Sequence, residues 1–216
     1  MVYQSRHKPV VELFGLPEPP STGRQRLVHA AIELFYSHGF QAVGIDRILA
    51  EAGVTKTTFY KHFESRDDLV VAAIRQRDEW EMQAWTQAVR QLAGDDPREQ
   101  LLSFFDVLDT WFNAPDFRGC QFINAAAEFP DPRDPVHKVA AEHKRKNRDF
   151  FRDLAAAAGA SDPESFADRY TALVEGTLIL RQVHGRDDAA RVIRPAVEAM
   201  IREELSAQEP HAQARE

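Results

Sequence analysis

The sequence of 216 residues holds a single cysteine, Cys120, and no apolar run long enough to cross a membrane. One cysteine excludes an internal disulfide framework and fits a reducing compartment. A membrane span needs about 18 or more apolar residues, and the stretch VVELFGLPEPPSTG near the N-terminus is too short and too polar for a signal peptide. We therefore expect a cytoplasmic protein with no membrane partner.

Short motifs for common catalytic and cofactor chemistry are also missing. Neither H-E-x-x-H nor a two-cysteine pattern occurs, and His137 and His143 are spaced wrongly for one helical face. G-x-S-x-G, P-loop and G-x-G-x-x-G motifs do not occur either. The sequence therefore predicts no metal, no cofactor and no enzymatic activity.

Charge is spread unevenly along the chain. The formal net charge is −7, yet residues 1–66 hold eight Lys or Arg against six Asp or Glu, a formal charge of +2. The rest of the chain therefore carries −9. A mildly basic head on an acidic body favours approach to a polyanion and discourages unspecific binding, although an excess of two charges alone does not decide the point.

Residues 45–63, IDRILAEAGVTKTTFYKHF, have the pattern of two short helices joined by a tight turn. Apolar residues recur at i, i+3, i+4 and i+7 in the first helix, and Gly53 suits the left-handed stop that follows it. Thr55 is placed to cap the second helix. There, Phe59 and Phe63 point to one side, which leaves a face of cations and hydroxyls on the other. The pattern predicts a helix-turn-helix whose second helix enters a DNA major groove.

A periodic helix precedes this stretch, and a long helix follows it. The earlier helix begins behind Ser21 or Thr22 and ends at Gly39, and the later one begins at Ser65 and runs to about Leu92. From Arg24 to Leu69, with LVHAAIELFYSHGF, IDRILAEAGVTKTTFYKHF and ESRDDL in that order, the sequence resembles the N-terminal domain of TetR-family transcriptional repressors. The resemblance implies a separate C-terminal domain for ligand binding and dimerisation.

The remaining segments are helical in period or propensity, and none alternates as a strand does. We therefore predict an all-α fold of about nine helices. The expected boundaries are a disordered arm over 1–22, a helix-turn-helix domain over 23–66, a ligand-binding and dimerisation domain over 67–205, and a disordered tail over 206–216. Arg6 and Lys8 in the arm could follow a DNA groove, although an inert arm is favoured. Pro195 predicts a kink or a late start in the last helix.

The face of the second helix and its surroundings supply the expected DNA contacts. We expect base edges to be read by Lys56, Thr57 and Lys61. Phosphates are expected to meet side chains of the set Arg24, Thr55, Tyr60, His62 and Arg66, and the backbone N–H at Gly44. Two positions depart from the family pattern, since Gly44 replaces a Ser or Thr cap and Leu49 replaces an alanine. Arg66 stands where the family commonly has a lysine, and arginine can make the same contact.

Aromatic residues are concentrated in the middle of the chain. Ordinary core packing is the simpler interpretation of each one, but together with a few polar residues they predict a largely apolar pocket for a small hydrophobic or aromatic effector. The expected pocket residues are Trp80, Phe104, Leu108, Trp111, Phe122, Asn124, Glu128, His143 and Glu175. The segment GCQFINAAAEF resembles C-terminal domains of some TetR-family repressors, which supports its place in this set.

The last two helices have wide apolar faces, which either close the core or pair with a second copy. The resemblance implies a homodimer through the set Phe166, Tyr170, Leu173, Thr177, Val192, Val197, Met200 and Ile201. A two-fold dimer reads two half-sites and adds their binding energies. We therefore expect a ligand-responsive repressor that binds a palindromic operator in double-stranded DNA. The alternatives are an all-α binding protein or enzyme with a structural helix-turn-helix, and a redox sensor through Cys120.

Overall fold

The computed structural model describes residues 20–205, and every regular element in that range is an α-helix. In chain order these are α1 (Gly23–His38), α2 (Ile45–Ala52), α3 (Lys56–Tyr60), α4 (Arg66–Ala93), α5 (Pro97–Phe112), α6 (Gln121–Glu128), α7 (Pro135–Ala157), α8 (Pro163–Gln182) and α9 (Ala189–Leu205). The predicted all-α fold is confirmed. The arm with Arg6 and Lys8, up to residue 19, and the tail after residue 205 lie outside the described residues.

Side-chain caps fix where the first helices begin. Thr22 accepts a hydrogen bond from the backbone N–H of Gln25, whose own side chain accepts from the Thr22 N–H, so the two form a capping box. Thr55 caps α3 by accepting from the N–H three residues later, at 3.2 Å. Ser65 and Asp68 bond reciprocally at the start of α4, each at 3.1 Å. Such caps are each worth about 1 kcal/mol and satisfy donors that the helix itself cannot.

Gly39 and Gly53 end the two helices that the sequence predicts them to end. Gly39 follows α1 with φ of 82°, and Gly53 follows α2 in the left-handed conformation with φ of 60°. Side chains with a Cβ rarely adopt such angles, so both turns depend on glycine. Gly44 is the N-cap of α2, and it makes no side-chain capping hydrogen bond because glycine has no side chain.

Contacts between Cα atoms divide the described chain into two compact units, each discontinuous in sequence. The head unit combines residues 20–84 with Arg118–Arg145, and the body unit combines Trp85–Phe117 with 146–205. The head unit therefore holds α1, α2, α3 and α6, and the body unit holds α5, α8 and α9. Helices α4 and α7 each pass from one unit into the other. This division interleaves along the chain. The functional boundary after residue 66 stays a prediction.

Aromatic rings form much of the core of the head unit around α1, α2 and α3. Phe35 stacks on Phe40 with centroids 5.0 Å apart, and Phe59 lies 5.7 Å from Phe63. All four side chains are buried, as is Ile48 of α2. Each such burial contributes roughly 1.5–3 kcal/mol relative to exposure.

The body unit packs around a second aromatic cluster centred on Phe104. Trp85, Phe151 and Tyr170 surround that ring, with centroids 5.0, 4.8 and 6.4 Å away. The Tyr170 hydroxyl donates to the Leu101 carbonyl at 2.6 Å, which satisfies the one polar atom of a fully buried ring. Burial raises the pKa of the Tyr170 phenol well above its usual value, so the hydroxyl remains a neutral donor.

Helix α9 is tied to α5 by two arginine–aspartate pairs. Arg191 bonds both carboxylate oxygens of Asp109, at 2.7 and 2.9 Å, and Arg194 bonds Asp106 at 2.6 Å. Burial raises the pKa of the Asp106 carboxyl, and the nearby Arg194 opposes that rise. Helix α9 begins at Ala189 and includes Pro195, so the late start that this proline could have caused does not occur.

Across residues 20–205, no helix combines the length and apolar character that crossing a membrane requires.

Candidate DNA-binding face and effector site

Helix α3 presents polar and cationic side chains to solvent at the surface of the head unit. Lys56, Thr57, Tyr60 and Lys61 are all exposed, and Tyr60 is 57% exposed despite its ring. Phe59 is fully buried, and its ring lies nearly perpendicular to the Tyr60 ring, with centroids 5.2 Å apart. Helix α3 is therefore packed against the core through Phe59, and its opposite face is exposed to solvent. We call these four exposed residues the reading face.

Three more expected DNA contacts surround the reading face. Arg24 is exposed and its guanidinium lies 5.3 Å from the centroid of the Phe63 ring, so it sits beside the base of α3. His62 lies after the end of α3, and Thr55 caps the start of α3; both side chains are exposed. Within residues 20–205, neither Lys56 nor Lys61 forms an ion pair. Their charges are thus available to a polyanion from solution.

The Arg66 guanidinium contacts the segment between α1 and α2. Its guanidinium donates to the Val43 carbonyl at 3.0 Å and to the Phe40 carbonyl, and it lies over the Phe35 ring at 5.6 Å. A further contact to Asp67 measures 3.3 Å, and the side chain is 24% exposed. Arg66 therefore anchors the loop between α1 and α2 to the start of α4. A role for it at DNA stays a prediction.

Glu128, expected in the effector pocket, instead contacts the loop after α1. Its carboxylate accepts from the backbone N–H groups of Phe40 at 3.0 Å and Gln41 at 2.8 Å. The absence of a side chain at Gly39 leaves room for this contact, because a Cβ there would lie only 3.0 Å from a Glu128 carboxylate oxygen. We call this arrangement the Glu128 latch. Its carboxylate therefore binds the loop that leads into α2. A role for Glu128 at an effector stays a prediction.

Two further contacts join the segment around α6 to the end of α1. The Arg118 N–H donates to the Tyr36 hydroxyl at 2.9 Å. The Phe129 and Phe40 rings pack nearly perpendicular to each other, with centroids 5.8 Å apart. Both ends of α6 therefore lie near residues that hold the helix-turn-helix in place.

Three of the expected pocket residues of the head unit lie around a buried charged network. His143 is 1% exposed, with its Nδ1 2.9 Å from an Asp78 carboxylate oxygen and its Nε2 3.8 Å from Glu81. Phe122 stacks flat on the imidazole, with centroids 3.5 Å apart. Trp80 lies beside the network through Arg77, whose guanidinium is 4.5 Å from the indole and bonds Glu81 at 3.1 Å. Asn124 is half-buried on α6.

The other expected pocket residues belong to the body unit. Phe104, Leu108 and Trp111 are buried in its aromatic core, where Trp85 packs on both Phe104 and Trp111. Glu175 is half-buried on α8. The expected set is therefore divided between the two units, and each part is described on its own.

Residues missed at the sequence level include the acids of the charged network and Gln121. Asp78 and Glu81 are 4% and 7% exposed. They occupy the spacing of the apolar stripe of α4 between Ile74 and Trp85, and this interruption of the stripe is the signal that could have identified them. Gln121 has no comparable signal, since one polar residue at a helix start is common.

The expected dimer residues prove to lie mostly inside the protomer. Burial of the side chains is 99% or more for Phe166, Tyr170, Thr177, Val197 and Ile201, so these five pack in the core of the body unit. Leu173 and Met200 are half-buried. The large apolar side chains that α8, α9 and the link between them leave exposed are Ile179, Val183 and Val192, at 40%, 69% and 45%. Of the expected set only Val192 is among them.

Cys120 is 3% exposed, whereas a redox-sensing thiol needs access to solvent. In the described part of the chain, no group of three or more His, Cys, Asp or Glu side chains is placed to hold a metal ion.

Comparison with known proteins places two regions of the chain in described families. Residues 27–73 match the model of bacterial regulatory proteins of the tetR family, and residues 97–197 match the tetracyclin repressor-like C-terminal domain. The chain is 28% identical to the transcriptional regulator AcuR of Cereibacter sphaeroides over 183 residues, which is 81% of this chain and 82% of that relative.

Solved structures agree with these matches. SCO4454, a TetR-family transcriptional regulator from Streptomyces coelicolor, superposes with a TM-score of 0.76 at 32% identity, covering 85% of this chain and 96% of the other. A tetR-type regulator from Streptomyces avermitilis gives a TM-score of 0.71 at 28% identity, covering 85% and 98%.

Proposed function

Because the chain belongs to the TetR family of bacterial transcriptional regulators, which bind DNA and are not enzymes, we propose that it is a ligand-responsive repressor. In this proposal a homodimer binds a palindromic operator, and a small organic effector releases it. The alternatives of an enzyme and of a Cys120 redox sensor are set aside, the first by the family and the second by the burial of the thiol.

The observation that carries the proposal is the reading face. Lys56 and Thr57 are exposed on a short helix whose other side is buried through Phe59, and Lys61, the residue that ends this helix, is exposed beside them. Lys side chains read guanine or meet phosphate, and hydroxyls donate or accept at either. We propose base contacts for these three residues, and phosphate contacts for Arg24, Thr55, Tyr60, His62 and the Gly44 N–H.

The size of the reading face and the exposed apolar side chains of the body unit support the proposed dimer. Helix α3 has five residues and can read only a few base pairs, so two copies on successive major grooves add their affinities. Ile179, Val183 and Val192 offer an apolar surface on and between α8 and α9. We propose that this surface, rather than the buried residues beneath it, pairs with the same surface of a second copy.

The Glu128 latch suggests how an effector would act on the reading face. Helix α6 contains Phe122 and Asn124 of the proposed effector site and ends at Glu128, whose carboxylate holds the loop that leads into α2. An effector that binds one position of α6 better than another would change this hold and thereby the operator affinity. Release by the effector is our proposal; a corepressor would use the same contacts with the opposite sign.

The proposal is tested by protecting promoter DNA with the purified full chain and titrating the protected inverted repeat. Lys61→Ala should weaken all sequences alike if the side chain meets only phosphate. It should instead cost about 1–3 kcal/mol and relax specificity at one position if it reads a base. Lys138→Ala is the matched control, because Lys138 is an exposed lysine on α7 outside the reading face.

Unchanged operator binding by Lys61→Ala, or an equal loss in Lys138→Ala, would contradict the assigned reading face. Failure of the native chain to select any inverted repeat would contradict the proposed function itself.

A further inference from the structure

Gln121, the first residue of α6, has a buried side chain whose polar atoms are both unsatisfied. It is 3% exposed, and neither Nε2 nor Oε1 has a hydrogen-bond partner within the described chain. Thr171 Oγ1 is the other buried side-chain atom in this condition, but a hydroxyl leaves one group unpaired where the carboxamide leaves two. A buried amide without partners is costly, because it has given up its hydrogen bonds to water.

Two other buried polar side chains, Gln100 and Thr177, are satisfied. Gln100, which is 5% exposed, donates to the Gly94 carbonyl at 2.6 Å, and Thr177, 1% exposed, donates to the Leu173 carbonyl at 2.6 Å. Gln121 therefore stands apart from its own class in the same chain. A polar group held at such a cost is explained by a partner that is not part of the chain.

The backbone around Gln121 adds donors at the same place. Its predecessor Cys120 caps α6 without a side-chain hydrogen bond, and the first helical N–H groups have no acceptor within a helix. Residues 119–122 are all buried, so these groups do not simply face bulk water. The positive end of the helix dipole also favours an acceptor oxygen here.

We propose that Gln121 recognises the effector, and that the effector carries an amide-type edge, a carbonyl acceptor beside an N–H donor, on an apolar body. This inference rests on the proposed function, since it names the ligand class of the same regulatory site. The carboxamide of Gln121 presents one donor and one acceptor, and only a group with the reverse pair satisfies both. Primary amides, lactams and ureas have such an edge.

Other ligand groups fit less well. A ketone accepts from Nε2 but offers nothing to Oε1, and a carboxylate places its lone pairs against Oε1. A hydrocarbon leaves both polar atoms unpaired. A site built around a buried donor and acceptor rejects analogues that lack one of them, because the unmatched group stays unsatisfied in the complex.

The position of Gln121 also connects recognition to the Glu128 latch. The two residues are the first and last of α6, which at 1.5 Å of rise per residue places them about 10 Å apart along the helix axis. A ligand that bonds the first residue and shifts the helix acts on the contact at the last.

The test compares amides with ketones of matched shape on the full native chain by calorimetry. The probes are benzamide with acetophenone, cinnamamide with benzalacetone, and caprolactam with cycloheptanone. We expect at least one amide to bind about 10-fold or more tightly than its matched ketone. Gln121→Leu should reduce this ratio to below about 2-fold. Gln83→Leu, at an exposed glutamine of α4, should leave it unchanged.

Equal binding of amide and ketone in every pair, including no binding of either, would overturn the inference, as would a ratio that survives Gln121→Leu. If Gln121→Leu does not fold, Gln121→Met gives the same decision, because a thioether of similar size offers no N–H donor and only a weak acceptor. An operator titration of the native chain is run beside these measurements. Operator binding without an amide preference overturns the ligand class alone, whereas absence of operator binding overturns the proposed function.

Discussion

Glu128 holds two backbone N–H groups with a charged acceptor, and hydrogen bonds to charged groups stabilise more than neutral ones. Glu128→Gln keeps the size of the side chain but turns an N–H₂ group towards one of the two donors. We expect the free energy of unfolding to fall by about 1–3 kcal/mol. We also expect operator release by an effector to be blunted, since the link from α6 is weakened. Chemical denaturation and operator titrations with and without effector measure the two effects.

Glu142→Gln is the control for this variant. Glu142 makes a 3.7 Å surface ion pair with Arg75, and such pairs contribute about 0–1 kcal/mol. An equal loss of unfolding free energy in both variants would show that the Glu128 latch stabilises the fold no more than a surface ion pair does.

Gly39 makes the latch possible through its backbone conformation. Gly39→Ala places a Cβ at φ of 82° and 3.0 Å from the Glu128 carboxylate. We expect a loss of about 1–3 kcal/mol in unfolding free energy, because both the angle and the contact are unfavourable. Gly176→Ala, in α8 with nothing within 4 Å of the new Cβ, should instead gain about 0.5–1 kcal/mol. Thermal and urea unfolding of the two variants compare them, and a neutral Gly39→Ala would contradict the argument.

Single residues were predictable where their chemistry is local. Thr55, Phe59 and Phe63 are fixed by neighbours within one or two helical turns, so spacing alone identified the cap and the buried side of α3. Arg66 and Glu128 could not be placed in the same way. Both bond backbone groups of the loop after α1, 26 and 88 residues away in sequence, and a backbone partner has no residue type to recognise.

At the scale of elements, the surface of α8 and α9 is the feature most open to test. Val183 follows α8 and is 69% exposed, and Val192 on α9 is 45% exposed. Val183→Asp and Val192→Asp should shift the proposed dimer towards monomer at micromolar concentration, because a charge on each copy would be buried against its partner. Light scattering after size exclusion measures the mass.

Gln91→Asp, at an exposed position near the end of α4, adds the same charge away from this surface and should leave the mass unchanged. A native chain that is monomeric at micromolar concentration would contradict the dimer.

Helices were predictable because their apolar residues recur at helical spacing, but the partner of an apolar face was not. The stripe through Phe166, Tyr170 and Val197 has the same pattern whether it packs inside one protomer or between two. The structure buries it within the protomer and leaves less regular positions exposed. Periodicity thus located the helices and could not distinguish core from interface.

At the scale of the whole molecule, charge separates specific from unspecific DNA binding. The chain carries −7 overall, so DNA is attracted mainly by the cations on and beside the reading face. Arg24, Lys56 and Lys61 from two protomers would bring about six cations to the DNA, and each displaces condensed counterions whether it lies at a base edge or at a phosphate. Operator affinity should then fall about 10³-fold between 50 and 200 mM salt. Fluorescence titrations across this range give the slope, and a flat response would contradict the placement of these three cations at the DNA.

The Glu128 latch also supplies a built-in reporter. The amide protons of Phe40 and Gln41 are bonded to a carboxylate and not to a helix carbonyl. Their exchange with deuterium and their chemical shifts therefore depend on whether Glu128 is engaged. These two resonances therefore report in solution, without operator DNA, whether Glu128 holds the loop after α1.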